Sequence, residues 1–201
     1  MTVIRDTSEL QIVFYPHPVL RRKSKPVKRV DSQLKTTVHR MFELMYEAEG
    51  IGLAANQVGL PLRFFVVNLA AKPGEGADYV FINPVLSRPK GLEEMEEGCL
   101  SFPDLRGMIT RPKRIHLSAF GLDGRAFEAD LDGMMARVVQ HENDHLDGVV
   151  FPDRLSTTGL AAAEPVLDEF EVDFSSRQRL GQVPADAVIE AEALQWELRY
   201  C

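Results

Sequence analysis

Five consecutive residues could do chemistry as a unit: His141-Glu142-Asn143-Asp144-His145. On a helix, side chains at i and i+4 project from one side, so the two imidazoles can share a cation. Glu142 is rotated ~100° from His141 and ~60° from His145, which places its carboxylate at the border of that face, within reach of a water on the cation. That is the arrangement a hydrolytic metal site needs. The bland alternative is two histidines falling four apart on a solvated helix, and a five-residue H-E-x-x-H match does arise by chance. Met135, Val138 and Val139 immediately before it favour a half-buried helix over a loop.

A hydrolytic site of this type has three protein ligands and one open position. No histidine follows His145, and where the extended H-E-x-x-H-x-x-G-x-x-H protease pattern has its third histidine this chain has Phe151. Glu164, Glu169 and Glu171 lie downstream, in a stretch whose local pattern offers no helix partner. Cys99, in Glu96-Glu97-Gly98-Cys99-Leu100-Ser101, is the better candidate. A lone cysteine is more often a small buried hydrophobe than a ligand. Here, though, a histidine pair lacks a third ligand and only one internal cysteine exists.

The segment Gly50-Ile51-Gly52-Leu53-Ala54-Ala55-Asn56-Gln57 is small and apolar and ends in amides. As a dinucleotide-binding turn it is weak, because it follows a helical pattern and the third glycine of G-x-G-x-x-G is Ala55. As a tight helix-to-strand connection it reads well. Gln57 could also donate a hydrogen bond to an oxyanion, while the glycines let substrate backbone approach.

The elements that must position these residues are partly visible. Leu34, Val38, Met41, Phe42 and Met45 recur at helical spacing between Asp31 and Ala48, with Asp31 or Ser32 as cap and Gly50 at the end. Arg63 to Ala70 and Asp78 to Leu86 are rich in β-branched and aromatic residues and read as strands. Arg114 to Gly121 and Arg125 to Leu131 flank Leu122-Asp123-Gly124, which suits a hairpin. A second helix follows Gly133. Past Arg154 the pattern weakens until Pro184, after which Ala187, Ala191, Leu194 and Leu198 mark one side of a last helix. The expected fold is α+β, with mixed or antiparallel strands packed around a central metal-binding helix and an additional C-terminal helix. The expected division is a catalytic region over 1–154 and an acidic extension over 155–201 belonging to the same domain.

Composition limits the partners. The 201 residues are 45% hydrophobic and 26% charged, ordinary for one globular domain. No apolar run approaches the ~20 residues of a membrane span, and the first ten residues lack a signal-peptide pattern. Cys99 and Cys201 are the only cysteines, so a disulfide framework is not expected and a reducing cytoplasm fits best. Of the net charge of -7, residues 155–201 supply -6, with nine acidic residues against three basic. The basic run Arg21, Arg22, Lys23, Lys25, Lys28 and Arg29 has no interleaved aromatics and reads as a solvated loop, not a specific nucleic-acid surface.

GIGLAANQ, EGCLS and QHENDH, in this order, resemble the three signature motifs of peptide deformylases, and Tyr15-Pro16-His17-Pro18-Val19-Leu20-Arg21 is similar to that family's N-terminal segment. The resemblance covers roughly Ile12 to Arg154. It implies one divalent metal ion on Cys99, His141 and His145, Fe(II) physiologically with Zn(II), Ni(II) or Co(II) able to replace it. It implies that a metal-bound water attacks the formyl carbon of an N-formylmethionyl nascent peptide and that formate is released. Glu142 would be the general acid/base, and Gln57 with the backbone N–H of Leu100 the oxyanion site. Ile51, Gly52, Gly98 and Arg106 would line the peptide groove, and Glu97 would support the metal site. Such a substrate implies a transient contact with the ribosome, although the acidic tail does not suit the basic docking helix of some members. Two departures stand out. Arg137 and Asn143 occupy usually apolar positions, the former beside the implied methionine pocket. Two rival readings are a metallopeptidase cleaving internal amides and a metal-stabilised binding module without turnover. Glu142 and Gln57 speak against the second, since a closed structural site needs neither.

Overall fold

The computed structural model describes residues 7–201, and its centre is a sheet that is covered on both faces at β1 and β2. Five antiparallel strands run in the order β1 (Gly52–Ala54), β2 (Phe64–Val67), β3 (Tyr79–Lys90), β6 (Arg114–Phe120) and β7 (Ala126–Asp132). Between β3 and β6 the chain makes a separate hairpin of β4 (Glu93–Cys99) and β5 (Phe102–Arg111). Strand β2 shows why the layers form. Its four residues, Phe64-Phe65-Val66-Val67, are all buried, and successive side chains on a strand point to opposite faces. Phe64 and Val66 therefore enter one core with Leu34, Val38, Met41 and Met45, whereas Phe65 and Val67 enter a second with Ala136, Val138, Val139 and Leu146. A sheet buried on both sides needs such continuous apolar runs.

The first core belongs to α1 (Ser32–Glu47), whose N-cap Asp31 accepts a 2.9 Å bond from the Leu34 amide. The second belongs to α2 (Gly133–Leu146), the helix that carries the histidine pair. Each of these fully buried Leu, Val or Met side chains stabilises the fold by roughly 1.5–3 kcal/mol. The hairpin around Leu122-Asp123-Gly124 forms as expected, with Gly124 at φ +78°, a left-handed conformation that costs glycine nothing.

The tail departs from expectation in two ways. Where the pattern weakens, the chain forms α3 (Thr157–Arg179), capped by Ser156 at the Gly159 amide. This helix fully buries only Ala163, with Leu167 and Phe170 against Phe102, Ile109 and Phe151. The last helix, α4 (Asp186–Tyr200), buries the face opposite the expected one. Ile189, Ala193, Trp196 and Tyr200 face the protein, while Leu194 and Leu198 are 44% and 72% exposed. Two large aromatic rings remove more surface from water than two leucines, and they decide the rotation. The basic run is not simply solvated either. Arg22 Nε and Lys25 Nζ each lie 2.7 Å from the buried carboxylate of Glu197 on α4, and Arg21 pairs with Asp153.

Candidate metal centre

Strand β4 and helix α2 deliver the reactive groups to one place. Cys99, His141 and His145 each present a ligand atom, and the three atoms lie within 4.8 Å of one another. Cys99 Sγ is 3.2 Å from His145 Nε2. The imidazole centroids are 5.1 Å apart, as i and i+4 positions on a helix require. Metal–ligand bonds of ~2.0–2.3 Å place tetrahedral donors roughly 3.5 Å apart, so these separations suit one small cation. The donor chemistry suits it too: a thiolate and two imidazoles match a divalent transition metal and would be poor ligands for Ca²⁺ or Mg²⁺.

The ring nitrogens away from the cluster differ. His141 Nδ1 lies 3.0 Å from Glu97 Oε2, which fixes the ring with Nε2 toward the sulfur. Burial opposes charge on His141, but its bonds with Cys99 and Glu97 outweigh burial and raise its pKa to about 10. Burial, together with the charges of His141 and Arg111, pushes His145 well below the usual imidazole range. A cation bound by both rings would displace any proton from the coordinating nitrogens. Glu97 is buried, and despite that burial the hydrogen bonds of His141 and Arg111 keep its pKa at about 2.

Glu142 is 4% exposed, and burial raises its pKa to about 7 against the pull of His141 and Arg111. Its carboxylate occupies the space that Gly52 leaves open: a Cβ on Gly52 would lie 2.5 Å from Glu142 Oε1 and 2.8 Å from Val138 Cγ1. Glycine is required here by close approach, not by its φ. Oε2 of Glu142 is buried with no protein partner.

Gln57 sits in a single 3-10 turn, Ala55–Val58, that follows β1. The Ala54 amide donates to its Oε1 at 2.8 Å, which turns Nε2 toward Cys99 Sγ at 3.5 Å and Ser101 Oγ at 3.2 Å. Leu100 and Ser101 form the turn between β4 and β5, and Leu100 packs over Gly50. Gly98 pairs across the hairpin with Arg106, both exposed beside Cys99, and half-buried Ile51 precedes Gly52. All the candidate residues except Arg106 lie where β1, the 3-10 turn, β4 with its turn, and α2 meet, and Arg106, on β5, joins them by pairing with Gly98 on β4.

Arg137, at a position the resemblance places beside the methionine pocket, is engaged by polar groups of the β4–β5 hairpin. It is buried, and its guanidinium is consumed by Glu97 Oε1 at 2.6 Å, Ile109 O at 3.1 Å and Glu93 O at 2.7 Å. Asn143 accepts from Arg63 and donates to Asp147. Other supports were not singled out in the sequence. Arg111 grips both oxygens of Glu97 and reaches Asp144 at 2.7 Å, Asn56 donates to the His145 carbonyl, and Ser101 meets Gln57. Ser101 lies inside EGCLS and Asn56 inside GIGLAANQ, so a motif-wide reading could have found those two. Ion pairs between distant elements carry no local signal.

A thiolate and two imidazoles beside a buried carboxylate, on an α+β frame, define the class as a mononuclear metal-dependent hydrolase. The family model for polypeptide deformylase matches residues 9–160, and the chain belongs to that family. It is 48% identical over 191 residues to a peptide deformylase of Rhodopirellula baltica, across 95% of both chains. It is 38% identical over 191 residues to the chloroplastic/mitochondrial peptide deformylase 1B of Arabidopsis thaliana, across 94% of this chain and 69% of that one. The crystal structure of a plant peptide deformylase superposes with a TM-score of 0.83 at 38% identity, covering 89% of this chain and 96% of that one.

Proposed function

We propose that Cys99, His141 and His145 hold one divalent metal ion and that Glu142, Gln57 and the Leu100 amide carry the chemistry of the family's reaction. That reaction is the hydrolytic removal of the formyl group from N-formylmethionine at the start of newly made polypeptides, with release of formate. The observation that supports the assignment best is the convergence of the three ligand atoms next to a buried, proton-accepting carboxylate.

A divalent ion bound there supplies Lewis acidity, lowering the pKa of water to ~7 and polarising a carbonyl. Glu142 takes the proton of the attacking water and returns it to the departing amine. A carboxyl poised at about 7 suits both steps near neutral pH. As the formyl carbon becomes tetrahedral, its oxygen gains charge, and the Gln57 amide and the Leu100 N–H donate to it. One such donor is worth ~3–4 kcal/mol in comparable acyl transfer. Gln57 is pre-oriented for this by the Ala54 amide, so little reorganisation is needed at the moment of reaction. Glu97 keeps the His141 ring aligned. Ile51, Gly52, Gly98 and Arg106 form the walls along which the peptide lies.

Fe(II) is the proposed physiological metal, with Zn(II), Ni(II) and Co(II) as workable replacements, since a mixed sulfur and nitrogen donor set accepts all four. The partners are N-formylmethionyl nascent peptides, with transient access at the ribosome, and the proposed compartment is the cytoplasm. No helix among the described residues is long and apolar enough to cross a membrane. The test is formate release from a formyl-methionyl tripeptide by metal-loaded protein. Internal cleavage of the unformylated tripeptide would instead mark a metallopeptidase.

A further inference from the structure

The metal helix and the cysteine strand run in matched steps. Two residues along a strand advance ~6.6 Å and four along a helix ~6.0 Å, so i, i+2 positions on one can interleave with i, i+4 positions on the other. Here they do. Glu97 lies between Arg137 and His141, bonded to both, and Cys99 lies between His141 and His145, engaging both. Arg137, Glu97, His141, Cys99 and His145 form one continuous ladder in which the lowest rung is an arginine outside the ligand set.

That rung is specific in its geometry. Arg111 spans both oxygens of Glu97 from β5, at 2.7 Å and 3.0 Å. Arg137 Nη1 takes a further acceptor position on Oε1, and His141 Nδ1 takes one on Oε2. Arg137 also donates to the carbonyls of Glu93 on β4 and Ile109 on β5, so one guanidinium on α2 holds both strands of the hairpin. A second tie between hairpin and helix, Arg111 to Asp144, lies on the other side of His141. Two ties bracketing the ligand fix the hairpin in register; a single tie lets it pivot about that point, carrying Cys99 with it.

We propose that Arg137 is a positioning residue for the metal centre: by clamping Glu97 one turn before His141 it sets the register in which Cys99 meets the two imidazoles. This rests on the ligand set proposed above. Its charge is not needed to neutralise Glu97, because Arg111 already pairs with that carboxylate over both oxygens. What Arg137 contributes is placement of strand against helix.

The test compares the intact cobalt-loaded protein with Arg137→Met and Arg137→Lys. Chelator-driven metal loss, the thiolate-to-cobalt absorption band, and kcat and KM for a formyl-methionyl tripeptide are the readouts. Arg137→Met is expected to lose metal on the order of tenfold faster, the lower end of what partners of ligating histidines contribute. Its thiolate band should shift, and the loss in turnover should fall on kcat. Arg137→Lys, which keeps the charge but cannot hold Glu97 and the Glu93 and Ile109 carbonyls at once, should recover only part of the retention and the band. A wild-type band and metal-loss rate in Arg137→Met overturn the proposal, and so does a change confined to KM, which would make Arg137 a pocket residue. Should Arg137→Met fail to fold, Arg137→Lys decides alone: wild-type retention and band in a folded lysine variant overturn the proposal, and faster metal loss with a shifted band supports it. Undiminished metal in Cys99→Ser would remove the ligand set itself, a failure distinct from that of Arg137.

Discussion

Replacing Glu142 by Gln should make the metal-free protein more stable while abolishing its catalysis. In the unfolded chain this carboxyl ionises near 4.5, and in the fold burial holds it at about 7. Between those values the native state binds a proton that the unfolded state has lost, so the contribution of Glu142 to stability falls as pH rises and is fully lost above pH 7. A shift of roughly 2.5 units corresponds to about 3 kcal/mol. The Gln side chain has nearly the same shape and does not titrate. The difference in unfolding free energy between Glu142→Gln and wild type should therefore grow by about 3 kcal/mol from pH 4.5 to pH 8 in favour of the variant. In a protein of this length that is roughly 6–12 °C in Tm. Urea unfolding of both chelator-treated proteins across that range measures it, and taking the difference cancels the titrating groups that do not interact with residue 142. In parallel, the metal-loaded variant should retain its metal and lose about 10²–10⁴ in kcat. A difference in stability that stays flat with pH would mean that the carboxyl is not held up by burial, and wild-type turnover would remove Glu142 from the reaction.

Cys99→Ser should weaken metal retention, since a hydroxyl replaces the one anionic ligand, and elemental analysis after dialysis measures the loss. Gly52→Ala forces a methyl to within 2.5 Å of Glu142 Oε1, so it should lower kcat by roughly tenfold or more with metal content unchanged, read by formate release. Trp196→Ala removes a buried ring stacked on Tyr200 at 5.8 Å and should cost about 3–5 kcal/mol, seen as a Tm lowered by roughly 10 °C in calorimetry.

Some of this was legible in the sequence because it obeys one-faced patterns. Helix α1 has a single apolar stripe and a capping aspartate, and both appear where the spacing puts them. The convergence of Cys99 with the two histidines was legible for a different reason: two histidines four apart call for a third donor if they hold a metal, and Cys99 is the one internal cysteine. Helix α3 was not legible. Its 23 residues contain an interior proline and fully bury only one alanine, so propensity and the Ser156 cap sustain it more than any stripe does. In α4 both faces carry apolar residues, and periodicity cannot choose between them; Trp196 and Tyr200 do, by area. The partners of Arg137 were not legible, because residue type at one position says nothing of which distant strand will supply its carboxylate.

The tail and the N-terminal segment join the fold to the site, and we propose that residues 155–201 form one cooperative unit with the rest. The Val13 amide donates to the Gln57 carbonyl and the Tyr15 amide to the Ser101 carbonyl, so one extended segment holds the backbone on both sides of the oxyanion donors. Tyr15 then stacks on Phe102, and Phe102 meets Phe170 of α3 edge-on. On the other flank Trp196 and Tyr200 enter the same core as α1 and β2. The turn of Leu100 and Ser101, proposed to carry an oxyanion donor, is thus joined to α3 through Tyr15, Phe102 and Phe170, so under that proposal a change in α3 would reach the reaction without touching the metal site.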